Sequence, residues 1–215
     1  MSEDPLTTKV RNDIVSLKNF WTQRNIKFQD WYELLTLVDV LASKGMETYV
    51  SNEPMTFYNM AHYLLTKGEL SHTSPIQNET ALELERRARV HRSCVQMWDT
   101  IDRNRQLGGQ SPFLDDLGFY LLVLGWYSVV EQYDNETGEL NAQLWNPYDV
   151  YPRYNNGRMS NCVHIYKCSE LEAIDKANAN GWDYDGRPNP TGEVTISDYF
   201  VQDSGVWWNL ILIDD

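Results

Sequence analysis

The sequence predicts an α+β fold, with helices dominating residues 1–125 and antiparallel strands after Trp126. Two observations lead to this prediction: apolar residues recur every three or four positions in the first part and every second position after Gly125. A third observation is length, because 215 residues suffice for one domain with a sizeable core or for two small ones. We divide the chain into a helical region, residues 1–110, and a region of central helix plus β-hairpins, residues 111–215.

The first two helices are defined by their period and their start and stop signals. Helical spacing of apolar residues extends from residue 7 to about residue 43, with Asn25 as a candidate interruption and Gly45 as a candidate end. A second helix begins at Ser51–Pro54, where a polar cap precedes a proline in the first turn, and runs to about Thr66.

A third helix is predicted over residues 79–107. His91 falls on its apolar face, where a core histidine is the expected role. Arg89, Arg92 and Arg103 fall on another face. That face suits either contact with phosphate or, with greater weight, a solvated basic surface that can pair with the acidic second half of the chain.

The next helix, from Ser111 to Leu124, is predicted to be central and the most buried in the chain. Ser111 is a candidate cap before a proline, and the segment from Leu117 to Leu124 is apolar on every side. Leu121 and Leu122 should therefore lie in the core, and Gly125 should end the helix.

Strands and one short helix follow, and residues 146–152 form a turn-rich extended link between them. The predicted elements are a hairpin of Trp126–Tyr133 and Glu139–Trp145, a strand at Val163–Cys168, a helix at Ser169–Asn180, and a second hairpin of Val194–Gln202 and Val206–Ile213.

Charge is unevenly distributed along a chain whose net charge is −13. Residues 1–110 hold 13 Lys and Arg against 14 Asp and Glu, whereas residues 111–215 hold 5 against 17. Proteins bind DNA by placing Lys and Arg against its phosphates, which releases condensed counterions from the DNA. Because the second half has few such cations, tight nucleic-acid binding by it is disfavoured. The most apolar stretch, Leu117 to Val130, is too short to span a bilayer, so no membrane partner is expected.

Patterns for catalysis, metal binding and cofactor binding are weak. The histidines form no metal pair at helical spacing, and the three cysteines have no metal spacing and fit a reducing compartment. The stretch Asp183–Gly186 is better explained as a turn than as a calcium loop. We therefore expect no metal, no cofactor and no enzymatic activity. One enzymatic alternative is a sugar-directed site, in which Asp149 would act among Trp145, Tyr148, Tyr151 and Tyr154.

Four local patterns, in order, resemble the N-terminal region of tailed-bacteriophage portal proteins, also called head–tail connectors. They are the step Val50–Pro54 into an amphipathic helix, a polar helix carrying Asp102-Arg103, a buried helix whose terminal glycine leads into a strand at Leu124–Val130, and a hairpin ending in Leu144–Pro152. Together they cover about residues 48–154. The strand with Trp207-Trp208 is similar to the β-rich piece that follows in such proteins.

This resemblance implies the outer wing of a ring, usually of twelve subunits, at one vertex of a virion that is assembled in the host cytoplasm. It implies as partners the capsid protein, a terminase motor, head–tail adaptor proteins and DNA that passes through the channel without sequence-specific binding. Stem helices and a clip would follow residue 215. Residues expected to touch a neighbouring subunit or to set the subunit's shape are Asn52, Glu53, Pro54, Trp145, Pro147, Tyr148, Asp149, Tyr151 and Pro152. A different capsid-assembly protein, such as an adaptor, is the alternative.

Overall fold

The computed structural model describes residues 5–39, 42–49, 51–67, 80–133, 140–184, 186 and 192–214. Within these residues, helices precede antiparallel strands, which confirms the predicted α+β class. The helices are α1 (Pro5–Leu35), α2 (Glu53–Thr66), α3 (Ala81–Leu107), α4 (Phe113–Phe119) and α5 (Glu170–Asn180). The strands are β1 (Ser128–Tyr133), β2 (Leu140–Trp145), β3 (Val150–Asn155), β4 (Arg158–Ser169), β5 (Glu193–Asp203) and β6 (Val206–Asp214).

The chain divides into two compact units. One, here the sheet unit, comprises Met1–Lys27 and Tyr148–Asp215, and the other, the helical unit, comprises Phe28–Pro147. The helical unit thus begins within α1 and is inserted in sequence between the two segments of the sheet unit. The division predicted at residue 110 was based on the distribution of charge and on the spacing of apolar residues, and not on contacts in space. It stays a prediction.

Helix α1 runs without a break, so the predicted interruption at Asn25 is wrong. Its side-chain amide donates instead to the carbonyl of Tyr148 at 3.0 Å, a tertiary contact that makes a polar residue useful inside a helix. The helix also ends at Leu35, well before Gly45. Leu37 adopts a φ of 60°, a left-handed conformation that stops helical hydrogen bonding.

The core of the sheet unit forms where α1 crosses a four-stranded sheet. Val10, Ile14 and Leu17 recur at helical spacing and are buried against Val163 and Tyr199 of the central strands. These apolar contacts bring the first residues of the chain onto its last strands. Full burial of each such aliphatic side chain contributes roughly 1.5–3 kcal/mol to the free energy of folding.

The sheet has the order β3-β4-β5-β6 and is antiparallel throughout. Strand β3 replaces the extended link predicted from the sequence. A proline is tolerated in β3 because this strand lies at the edge of the sheet, where Pro152 removes no central hydrogen bond. Helix α5 covers the other face, where Ala173 packs with Val194 and Ile196. Ser169 accepts a hydrogen bond from the Glu172 amide, which confirms it as the predicted cap of this helix.

In the helical unit, a separate core joins α3, α4 and the β1–β2 hairpin. Its buried residues are Ile101, Phe113 and Ala142. The first turn of α4 is capped by tertiary structure and not by Ser111, as the sequence had suggested. The Asp102 carboxylate of α3 accepts from the Phe113 amide at 2.7 Å. The carbonyl of Ser111 accepts from Arg105.

No helix in the described ranges is both long enough and apolar enough to cross a membrane.

We predict that replacing Leu17 with Ala destabilises the sheet unit by about 2–5 kcal/mol, the usual cost of truncating a buried leucine. Leu17 is 1% exposed, whereas Val15, two residues earlier on the same helix, is 55% exposed. Val15→Ala is therefore the matched control and should change stability by no more than about 0.5 kcal/mol. Urea denaturation followed by circular dichroism measures both. Equal effects of the two substitutions would contradict the packing of α1 on the sheet.

Candidate assembly surface

An apolar groove of about 500 Å³ lies within the helical unit. It is bounded by the end of α1, by α2, and by the five-residue π-helical turn Tyr120–Leu124 that continues α4. The lining residues are Trp31, Leu34, Leu35, Pro54, Phe57, Tyr58, Ala61, Leu121, Leu122, Val123 and Gly125. The only polar groups among these lining side chains are the Tyr58 hydroxyl and the Trp31 indole N–H, so the groove suits an apolar partner surface.

Among the described residues, contacts with α4 hold helix α2 on one of its sides. The His62 ring nitrogen Nε2 lies 2.9 Å from the carbonyl oxygen of Asp115. Gly118 of α4 allows this approach, because a Cβ there would lie 3.2 Å from His62 and 3.3 Å from Thr66. The close contact therefore sets which side of α2 faces α4.

The opposite side of α2 is apolar and exposed. Phe57, Met60 and Leu64 recur at helical spacing and are 64%, 56% and 70% exposed. No side chain of α2 is fully buried. Contiguous apolar exposure on this scale is typical of a surface that is covered in an assembly.

The π-helical turn corrects the prediction that the Ser111–Leu124 helix is buried on every side. Phe113 and Leu124 are indeed buried, but Leu121 and Leu122 are 38% and 42% exposed and line the groove. Truncating either leucine should therefore cost less than a core substitution. The sequence pattern showed an all-apolar helix, but it did not distinguish burial in the core from exposure at a groove.

Gly125 ends this segment, as predicted, with a φ of 61° in the left-handed region. Asn52 and Glu53 are exposed before and in the first turn of α2, and Pro54 lines the groove. The first group of predicted site residues therefore lies at or beside this surface. Their contact with a neighbouring subunit stays a prediction.

The second predicted group is divided between the two units. Trp145 ends β2 in the helical unit, where it pairs with Ser128, and Pro147 is buried there. Tyr148 and Asp149 are half-buried in the sheet unit. Tyr151 and Pro152, in the same unit, are buried.

Contacts with α1 account for the burial of this turn. The Trp21 indole N–H donates to the Pro152 carbonyl at 2.7 Å. The Arg24 guanidinium lies over the rings of Trp21 and Tyr151, with centroid distances of 4.7 and 5.6 Å. Burial lowers the pKa of Arg24 to about 10. For Tyr151 and Pro152 these contacts favour a role in setting the shape of the subunit.

The sugar-directed alternative gains no support from this arrangement. Tyr151 is buried under α1 and cannot present its face to a sugar, and of the named rings Tyr154 is the one largely exposed, at 56%. In the described part of the chain, no three His, Cys, Asp or Glu side chains are grouped so that they could hold a metal ion. His91, expected in the core, is exposed.

Sequence reasoning missed a buried ion pair. Arg105 of α3 is 8% exposed and pairs with Asp116 of α4. Its guanidinium also lies 5.8 Å from the Phe113 ring centroid. The only available signal was an Arg close to the glycine-rich end of α3, and spacing alone could not show that this cation faces inward.

A second feature missed by the sequence is a titratable cluster on the α5 side of the sheet. His164 and Asp198 are register partners on β4 and β5. The Lys176 ammonium lies 4.6 Å from the Tyr166 ring centroid and 2.8 Å from Glu172. Burial raises the pKa of Asp198 to about 6, partly offset by Lys176. Burial, reinforced by Lys176, lowers the pKa of His164 to about 4.

These two shifts have opposite effects on stability. Between about pH 4 and 6 the folded protein keeps a proton on Asp198 that the unfolded chain releases, so this group lowers stability as pH rises. Over about pH 4 to 6.5 the unfolded chain protonates His164 whereas the folded protein does not, so this group raises stability as pH rises. A single-site variant separates the two contributions.

We predict that Asp198→Asn stabilises the protein relative to wild type increasingly from pH 4 to pH 6, with a plateau above pH 6, because the ionised carboxylate is the form that burial penalises. Thermal unfolding across this pH range measures the difference. Asp203→Asn, at the exposed end of the same strand, is the control. A stabilising effect that is largest at pH 4, or absent throughout, would contradict the burial of Asp198.

Compared with models of protein families and with curated protein sequences, the chain shows no significant match.

Proposed function

We propose that this protein is a structural subunit of a bacteriophage portal ring, the conduit for DNA packaging and ejection at a capsid vertex. In this role it contributes wing surface and acts without catalysis or a cofactor. Its proposed partners are further copies of itself, capsid protein, the terminase motor and head–tail adaptors.

The observation that carries an assembly role is the exposed apolar side of α2 beside the groove. Phe57, Met60 and Leu64 expose their side chains to solvent although other apolar side chains of the described chain are buried in three cores. Removing apolar surface from water is worth about 25 cal/mol for each Å². Covering this side of α2 in a complex would therefore be strongly favourable.

The order of the four motifs supports a portal ring in particular. The exposed helix α2 follows directly from the first motif, Val50–Pro54, and the fourth motif contains the proline-stiffened turn that α1 holds in place. A ring subunit needs two different surfaces that close by rotation, and it needs a rigid body between them. An adaptor would use similar apolar surfaces, so the symmetry of the assembly discriminates the two roles.

We predict that the full-length protein forms rings of a single rotational symmetry, visible by negative-stain electron microscopy. Phe57→Ser together with Leu64→Ser should leave the subunits folded but prevent ring formation, because the two residues are exposed in the subunit and buried by the proposed contact. Tyr49→Ser is the control, since Tyr49 is 91% exposed and lies outside α2.

Circular dichroism verifies folding, and light scattering gives the mass of each species. Wild-type protein that binds a ring made by another protein, without forming one, would favour the adaptor role. Normal rings from the α2 double variant would refute the assembly role of this helix.

A further inference from the structure

Helix α3 carries a basic segment with little ion pairing among the described residues. From Arg86 to Trp98 the helix has four arginines and no carboxylate. Each of these arginines is exposed. Among the described residues, their only ion pair is a 3.4 Å contact between Arg89 and Glu85 of the same helix, in which both side chains are about two-thirds exposed. Such an exposed pair contributes little to stability.

Apolar side chains lie between these arginines. The stripe that buries Ile101 in the core continues toward the start of α3 through Cys94 and Val90. Val90 is 47% exposed. A surface that combines cations with an exposed apolar stripe matches a protein partner better than a phosphate backbone, which offers charge without apolar surface.

The end of the β5–β6 hairpin has the complementary chemistry. Asp203, Val206, Trp207 and Trp208 are all exposed there. Strand β6 is the last strand of the sheet, and its outer edge has no strand neighbour in the described part of the chain. Successive side chains project to opposite sides of a strand, so a helix along this edge can contact both indoles. Trp is the ring that arginine cations bind best.

Charge over the whole chain favours the same pairing. The hairpin belongs to the region with 17 acidic and 5 basic residues, so a second copy presents α3 with a negative field. The same acid excess repels DNA from the chain as a whole. The occupant that best fits the basic face is therefore another molecule of this protein.

We propose that the face of α3 from Arg86 to Val95 binds the β5–β6 hairpin end, Asp203 to Trp208, of a second copy. The contact joins two different surfaces and is therefore head-to-tail, the type that closes into a ring when the rotation permits. It rests on the proposed function, for which it names one junction between subunits.

The dimensions fit a modest contact. The face of α3 from Arg86 to Val95 extends over about 15 Å at 1.5 Å for each residue, which is long enough to cover the hairpin end. This patch is smaller than a standard interface of about 800 Å² on each partner. It therefore adds to the α2 surface, and its loss should shift the concentration needed for assembly.

The test uses the full-length protein and sedimentation velocity over a range of concentrations. Arg86→Glu, Arg89→Glu and Arg92→Glu combined should raise the concentration of half-association about tenfold or more, as expected for a hot-spot cluster. Arg103→Glu is the control, because Arg103 is an exposed arginine of the same helix that lies beyond the segment from Arg86 to Val95. The hairpin partner is tested by Trp207→Ser with Trp208→Ser, and by Asp203→Arg in case the tryptophan variant fails to fold.

Mixing gives the sharpest readout. In a head-to-tail contact, the arginine variant keeps an intact hairpin and the hairpin variant keeps an intact α3. An equimolar mixture should therefore form one-to-one dimers at a lower concentration than either variant alone needs to associate. Absence of such dimers, with both variants folded, would overturn the proposal.

Two further outcomes would also overturn it. One is unchanged self-association of the arginine variant. The other is binding of short double-stranded DNA that depends on salt and that is lost in the arginine variant but kept in the wild type and the hairpin variant. This result would assign the basic face to nucleic acid. Normal rings from the arginine variant would refute this junction and leave the portal role intact, whereas dimers without rings from the wild type would refute the portal role and leave the junction intact.

Discussion

The contact of α1 with the four-stranded sheet is the interaction on which the sheet unit depends. The Tyr199 hydroxyl donates to the Asp13 carboxylate at 2.6 Å, across 186 residues of sequence. Asn161 donates to the same hydroxyl at 3.0 Å, and Leu17 packs beside them in the core. Because polar groups in such a position must be satisfied, this network and the apolar core fix the helix in one register.

The two units differ in how much of their helix surface is buried. The sheet unit buries α1 on one face and α5 on the other, and both faces have a core. The helical unit has a core between α3, α4 and the hairpin, but α2 and the start of α3 remain exposed. The exposed apolar side of α2 and the exposed arginines of α3 therefore both belong to the helical unit.

Local features were predictable from the sequence because local chemistry decides them. The proline-marked start of α2, the Ser169 cap and the glycine that ends the π-helical turn all followed from side-chain and backbone preferences. Tertiary contacts decided the rest. Asn25 continues a helix because Tyr148 accepts its amide, and the exposure of Leu121 depends on where α2 packs. Periodicity shows that a residue is apolar, but the packing of distant segments determines what covers it.

In the proposed assembly, a neighbouring molecule covers α2, whereas the central strands of the sheet unit are already packed in the single subunit. Amide hydrogen exchange of the full-length protein can distinguish these two regions. Exchange should be compared between dilute subunits and the assembled state. We expect the amides of α2 and of residues 121–125 to become strongly protected on assembly, whereas the amides of β4 and β5 should exchange at the same slow rate in both states. Equal protection of α2 in the subunit and the assembly would contradict the claim.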